Sequence, residues 1–333
     1  MCSGTRCLSE GAGEVSRKGA KDAKAGDGEF NYEMRERARK KQAGSAPVRV
    51  PIPPEGMKMA ILTKGQIKGG HWYTADGQPM HKMRTADGSG ERATTIKDAR
   101  RLGLYPSVTS IIEIFSKPNL DAWKLNQVAL AALRNPKTQN EGDDYWCNRV
   151  VEASKEKSEQ AKDLGTRIHA ALDAAMIGEA YDPEMAPYVE PVVKWKRETG
   201  ILIVEREIRL VNTAHGFAGT SDVMFRYGEN GIGILDYKTR KTDPGKPVFA
   251  YDGQAMQLAA YAATYWGEEN VGRVLAANVF ISTTESGRVA IVKHEKPAED
   301  WEAFKHAAAI WRYQKGYDPR VAGNAGRAEG YKK

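Results

Sequence analysis

The sequence predicts an α/β fold, and three observations carry that prediction. Segments with the 3.6-residue apolar period of helices alternate with short runs of strand type. Gly and Pro punctuate the boundaries between them. One stretch, residues 216–239, GFAGTSDVMFRYGENGIGILDYKT, reads as a β-hairpin with acidic side chains set among apolar ones. The resulting order is helix, three strands, helix, strand, with a helical and hairpin extension on the N-terminal side.

Taken in order, residues 1–45 are rich in Gly, Ser, Ala, Lys and Glu and poor in large apolar side chains. Such a stretch cannot offset its ordering entropy by burial, so a disordered polar tail is expected, with a short helix around 32–42. Pro47, Pro51, Pro53 and Pro54 mark 46–55 as an extended linker. Two β-like runs around an Asp76-Gly77 turn are expected within 57–85, with Trp72 and Tyr73 capping a core. Ser107 and Thr109 precede and enter the apolar run Val108–Phe115 as helix caps. Helical spacing continues through Leu120, Trp123, Leu125 and Leu130 and stops near Asn135-Pro136. A long helix is expected over 151–178 on the stripe Leu164, Ile168, Leu172 and Ala175, and a second over 184–199 that stops at Gly200. Strands follow near 201–211, 217–226 and 232–239, a helix over 248–266, strands near 273–282 and 288–294, and a last helix over 298–314. These elements group into a tail (1–45), an accessory region (46–150), a core (151–315) and a Gly-rich basic tail (316–333).

Composition bounds the function classes. The chain has 333 residues, 41% of them hydrophobic and 28% charged, enough for a large core. Mean hydropathy is −0.58, and no apolar run approaches a membrane span, so no membrane partner is expected. The net charge of +7 favours a polyanionic partner. Cys2, Cys7 and Cys147 have no compact metal-ligand spacing, which excludes a four-thiolate zinc or iron–sulfur centre within one chain and suits a reducing, cytoplasmic setting. The N-terminus lacks an apolar signal core and carries several acidic residues, unlike a transit peptide. Neither the phosphate loop G-x-x-x-x-G-K-[ST] nor the nucleophile elbow G-x-S-x-G occurs.

The hairpin carries the chemistry. Side chains two apart on a strand share a face, so Asp236 and Lys238 point the same way. Asp222 belongs to the preceding strand. Carboxylates and an ammonium on one sheet face are costly in an apolar core, and they fit a divalent cation that activates water beside a phosphodiester. Asp222 and Asp236 are hard oxygen ligands for Mg²⁺ or Mn²⁺, the carbonyl of Tyr237 is a further candidate ligand, and Lys238 is placed to steer water or meet developing negative charge. The competing structural reading pairs the carboxylates with Arg226 or Arg240. Loop length decides whether the faces coincide. A four-residue loop pairing 227 with 232 would turn Asp222 away from Asp236, so an odd-length loop or a bulge is expected.

The ordered set of motifs resembles the PD-(D/E)XK nuclease superfamily, in its RecB-like exonuclease branch. Gly219-x-x-Asp222, Ile234-Leu-Asp236-Tyr-Lys238-Thr239, Gln257-x-x-x-Tyr261 and Gly165-x-x-x-His169-x-x-Leu172 match that branch's motifs, with Asp173 where Glu is commoner. Tyr105-Pro-Ser-Val-Thr109 resembles the start of mitochondrial genome maintenance exonuclease and phage nucleases, and the likeness spans roughly 104–312. The resemblance implies a restriction-endonuclease-like αβββαβ core with a mixed central sheet flanked by helices. It implies a metal-dependent exonuclease acting on single-stranded DNA or duplex ends, in phage or bacterial recombination, replication or DNA processing. A recombination or single-strand-binding protein is then a further partner. It adds His169 as a metal ligand, and Gln257 and Tyr261, with Gln254 on the same helix face, as substrate-binding or Lys238-orienting groups. Apart from the resemblance, Thr239, Arg240, Ser107 and Thr109 are candidate substrate contacts, with helix capping the competing role of the last two, and Glu205, on the strand before the hairpin, is either an additional acid or an exposed strand glutamate. Lys124, Lys241 and Lys246 are candidates to line a phosphate groove. Two alternatives stand beside this: a structure-specific endonuclease on the same core, and a nucleic-acid-binding module with no catalysis.

Overall fold

In a computed structural model the described residues are 72–85, 87–251 and 253–321. The expectations for residues 1–45, for the helix at 32–42, for the 46–55 linker and for the first part of the 57–85 hairpin lie outside them. By Cα proximity the chain divides into two compact units, one holding Glu190–Leu210 and Thr220–Phe304, the other holding the described part of 66–189, Val211–Gly219 and the described part of 305–333.

The first unit is built on a five-stranded mixed sheet. Its strands are β5 (Leu202–Asn212), β6 (Phe217–Tyr227), β7 (Gly231–Arg240), β8 (Val274–Ser282) and β9 (Val289–His294), in that spatial order. β6–β7 and β8–β9 pair antiparallel, while β7–β8 pair parallel. A parallel pair needs a crossover, and α6 (Gln254–Trp266) supplies it, packing on both β7 and β8. All nine residues of β8 are buried, which explains its almost unbroken apolar sequence VLAANVFIS. Leu258 through Thr264 of α6 are buried as well, and Gly267, at φ 90°, ends the helix. The mixed sheet flanked by helices agrees with the α/β expectation. The crossover helix starts at Gln254 rather than 248, because residues 241–251 form a loop tied down by side-chain hydrogen bonds.

Two aromatic–glycine pairs set the register of the β6–β7 hairpin. Phe225 faces Gly233 and Tyr227 faces Gly231. A Cβ on Gly233 would meet the Phe225 ring at 2.1 Å, and one on Gly231 would meet the Tyr227 ring at 2.6 Å. The rings occupy the space that side chains would fill, an aromatic-over-glycine device that pins pairing. Tyr227↔Gly231 leaves a three-residue loop, 228–230, with Gly228 at φ 57°. The odd-length loop expected from the sequence is present.

The second unit is mainly helical. β1 (Trp72–Tyr73) pairs with β4 (Tyr105–Pro106), and β2 (Lys82–Arg84) with β3 (Glu91–Ala93). The Asp76-Gly77 turn is present, closed by Thr74 N–H to the Gln78 carbonyl, with Gly77 at φ 82°. α1 (Ile96–Leu102) was not anticipated from the sequence, although Thr95 and Asp98 form a full capping box at its start. α2 (Val108–Ile112) is capped by Ser107, and α3 (Pro118–Arg134) ends at Asn135 as expected. α4 (Asp143–Met176) begins earlier than 151, with Asp143 and Asp144 favouring its positive N-terminal end. α5 (Ala186–Thr199) follows a short 3₁₀ turn and belongs to the first unit from Glu190 on. α7 (Pro297–Lys315), the last helix, belongs to the first unit as far as Phe304 and to the second from Lys305. Trp72 does cap a core, its ring edge-on to Trp311 and Tyr317 at 6.1 and 6.2 Å. Tyr317, assigned by sequence to a terminal tail, is buried, and its hydroxyl donates to the carbonyls of Ala99 and Leu104.

Among the described residues no helix is long and apolar enough to cross a membrane.

Candidate metal and phosphodiester site

The register of β6 against β7 decides the site. The register runs to Val223↔Leu235, and by the same count Asp222 falls opposite Asp236 one step further along. Directly opposed residues share a face, and Lys238 shares it by strand alternation. Where the ladder ends, the Asp222 carboxylate replaces a backbone acceptor: its Oδ2 accepts the Tyr237 N–H at 2.7 Å. Asp236 is buried, and its Oδ2 accepts from Lys238 Nζ at 2.6 Å and Asn278 Nδ2 at 2.9 Å. Burial disfavours the Lys238 ammonium, but the neighbouring Asp236 and Asp222 carboxylates outweigh it and hold its pKa above the ordinary lysine value.

The polar row continues across the sheet. Asn278, on the interior strand β8, pairs with Asp236 in the parallel register and is fully buried. Its Oδ1 lies 2.8 Å from His294 Nε2 on β9. Since the amide Nδ2 is committed to Asp236, Oδ1 is the acceptor, and His294 carries its proton on Nε2. Burial lowers the His294 pKa, against the pull of Asp236 and Glu295, and so favours the neutral ring. Neither Asn278 nor His294 was anticipated from the sequence. The available signal was a lone amide in the middle of a mainly apolar interior strand, a position where an unpartnered polar group would be costly.

A third acid comes from β5. Glu207 and Asp222 offer carboxylate oxygens within 4.8 Å of each other. Glu207 adopts φ 45°, the one non-glycine residue with positive φ among those described. That conformation costs about 1–3 kcal/mol and persists where the surroundings enforce it, commonly at functional sites. The sequence singled out Glu205 on this strand. The structure instead brings Glu207 to Asp222, while Glu205 acts on Tyr265: burial first, then the Glu205 charge, push that phenol up to about 12. The left-handed residue interrupts side-chain alternation, so which of two acids two positions apart would face Asp222 was not legible from spacing.

The other anticipated residues fall at several places in the fold. Tyr237 is buried, on the face opposite Asp236 by strand alternation. Thr239 is half-buried at the end of β7. Arg240 donates to the Phe249 carbonyl at 2.7 Å and to Tyr251 Oη at 2.9 Å, and Arg226 lies over the Trp266 ring at 5.8 Å. Both arginines offered as structural partners of the carboxylates thus have other contacts. Gln257 and Tyr261 are buried on α6, and half-buried Gln254 accepts the Tyr251 N–H at 2.7 Å. His169 is half-buried on α4, in the helical unit. Ser107 is a buried N-cap that accepts from Ser110 N–H at 3.0 Å, and Thr109 is exposed beside it.

No family model matches the sequence, and no curated protein matches it. Among solved structures, the crystal structure of SSO0001 matches at TM-score 0.29 and 14% identity, over 61% of this chain and 89% of that one. A likeness that loose carries no argument about this chain's fold or chemistry.

Proposed function

We infer that this chain is a metal-dependent deoxyribonuclease, an exonuclease of the PD-(D/E)XK type on a restriction-endonuclease-like core, acting on single-stranded DNA or duplex ends. One observation carries the inference: the Asp236 and Asp222 carboxylates both act on the Lys238 ammonium, whose Nζ lies 2.6 Å from Asp236. Glu207 adds a carboxylate within 4.8 Å of Asp222. The carboxylate donors are hard oxygens suited to Mg²⁺ or Mn²⁺. Asp222, Asp236 and Glu207 would hold the ion. The resemblance assigns His169 to the same centre. Bound there, Mg²⁺ or Mn²⁺ lowers the pKa of a coordinated water and offsets charge on the phosphate.

The chain's own groups divide the remaining work. Lys238, held as an ammonium, is a hydrogen-bond donor to the phosphate oxygens as negative charge builds. Asp236 has its Oδ2 occupied by Lys238 and Asn278, which orients its other oxygen. The Tyr237 N–H does the same for Asp222. Fixed carboxylates of this kind need little reorganisation in the reaction.

The test is digestion of end-labelled single- and double-stranded oligonucleotides with and without Mn²⁺. Metal-dependent release of labelled nucleotides from wild type, lost in Asp222→Ala, Asp236→Ala and Lys238→Ala, is the expected result. Full activity in folded Asp236→Ala would remove the assignment. Covalently closed circular DNA separates the endonuclease alternative, since an enzyme that needs an end leaves it intact.

A further inference from the structure

We propose that residues 241–251, which follow β7, are a base-stacking platform for single-stranded DNA, with Phe249 and Tyr251 as its stacking rings. The proposal rests on the nuclease reading above and names the substrate class of that site.

Position comes first. Arg240 is two residues beyond Lys238 on β7 and shares its face, about 7 Å along the strand. The Arg240 guanidinium lies 4.6 Å from the centre of the Tyr251 ring and donates to Tyr251 Oη and the Phe249 carbonyl. The Tyr251 ring and the Phe249 backbone are thereby tethered to Arg240, on the face that carries Asp236 and Lys238. One nucleotide step along an extended strand is of the same order as this offset.

Exposure comes second. Phe249 is 68% exposed and Tyr251 61% exposed, although each is large enough to anchor a core. Scattered exposed aromatics are ordinary, but two held within reach of one arginine are a local apolar surface.

Rigidity comes third. Arg288 donates to the carbonyls of Asp243 and Lys246, Thr242 N–H donates to Thr284 Oγ1 at 3.0 Å, and Thr284 Oγ1 donates back to the Thr242 carbonyl at 2.7 Å. Gln254 holds the Tyr251 N–H. These hydrogen bonds hold the backbone at Thr242, Asp243, Lys246 and Tyr251, which reduces the ordering entropy that binding must offset. Rings presented this way suit unpaired bases, whose π-faces are free. In a duplex those faces are already stacked. Exposed Lys241, beside the platform, supplies sequence-independent attraction to the backbone.

Fluorescence anisotropy tests this with a labelled single-stranded oligonucleotide and the matching blunt duplex, in EDTA so that binding is read apart from cleavage. Phe249→Ala/Tyr251→Ala is expected to weaken single-strand binding at least ten-fold, with duplex binding changed less than two-fold and the melting temperature unchanged. Phe249→Trp and Tyr251→Phe, which keep the rings, should retain wild-type affinity. Single-strand affinity within two-fold of wild type in the double Ala variant overturns the platform, as does an equal loss for both DNA forms. If wild type cleaves with Mn²⁺ while the double variant binds normally, only the platform falls. If wild type neither binds nor cleaves DNA, both readings fall.

Discussion

Gly233→Ala should be among the most damaging small substitutions in the β-hairpin, and the structure allows its cost to be worked out. A Cβ at Gly233 lands 2.1, 2.4 and 2.6 Å from Cζ, Cε1 and Cε2 of Phe225. Carbon atoms in contact prefer roughly 3.5–4.0 Å, so the ring must retreat by about 1.4 Å. Phe225 has no exposed surface, and there is nowhere for it to go without moving neighbours. Overpacking of a dense core costs about 1–3 kcal/mol, and an overlap this deep belongs at the upper end. Phe225→Ala alone should cost about 3–5 kcal/mol through lost burial and a cavity. In the double variant the new methyl has room and fills part of that cavity. Its cost should therefore fall short of the sum of the two single changes by about 1–3 kcal/mol. Native-state hydrogen exchange of the β6 and β7 amides measures this locally, without requiring the whole chain to unfold in one step. Additive costs, or exchange in Gly233→Ala indistinguishable from wild type, would refute the idea that the Phe225–Gly233 pair sets the register and, with it, the alignment of Asp222 with Asp236.

Three further outcomes are expected. Asn278→Ala removes a donor to Asp236 and the acceptor of His294. Changes in such supporting hydrogen bonds typically weaken metal binding about 10–100-fold, and Mn²⁺ titration calorimetry should show that loss; wild-type affinity would make Asn278 a packing residue only. Glu207→Gly relieves the positive φ and should raise stability by roughly 1 kcal/mol in chemical denaturation while reducing the Mn²⁺-induced rise in melting temperature. A loss of stability would show that the left-handed backbone is not strained. The bidentate hydrogen bonds of Arg149, with the Thr138 N–H, hold the Glu141 carboxylate down at about 2. A depressed acid contributes its stability above its unfolded value and loses it as pH falls through the folded one. The advantage of wild type over Glu141→Gln, read by exchange in α3 and α4, should be full at about pH 5 and vanish toward pH 2; an advantage that does not change with pH would contradict the pairing.

Much of the architecture was legible because local rules dominated it. Gly200 (φ 68°) and Gly267 end helices where the sequence placed those ends, and Ser107 and Asn135 cap as their chemistry directs. The start of α4 was missed because its first two turns carry little apolar periodicity, and α1 because a seven-residue helix offers only its capping box. Asp222, Asp236 and Lys238 were legible because a period of two and an odd loop length are nearly sufficient to compute a shared face.

Sequence alone determined the order of helices and strands, the polar character of the β7 face and the parity of the hairpin, since each follows from near neighbours and backbone period. Only tertiary structure decided that Glu207 rather than Glu205 reaches Asp222, that Asn278 and His294 extend the row across β8 and β9, and that Arg240 holds a loop. Those choices depend on a reversed φ, on a parallel register formed across a crossover helix and on a side chain folding back on its own loop. No local pattern encodes any of the three, because each arises from contacts between residues that chain neighbours do not constrain.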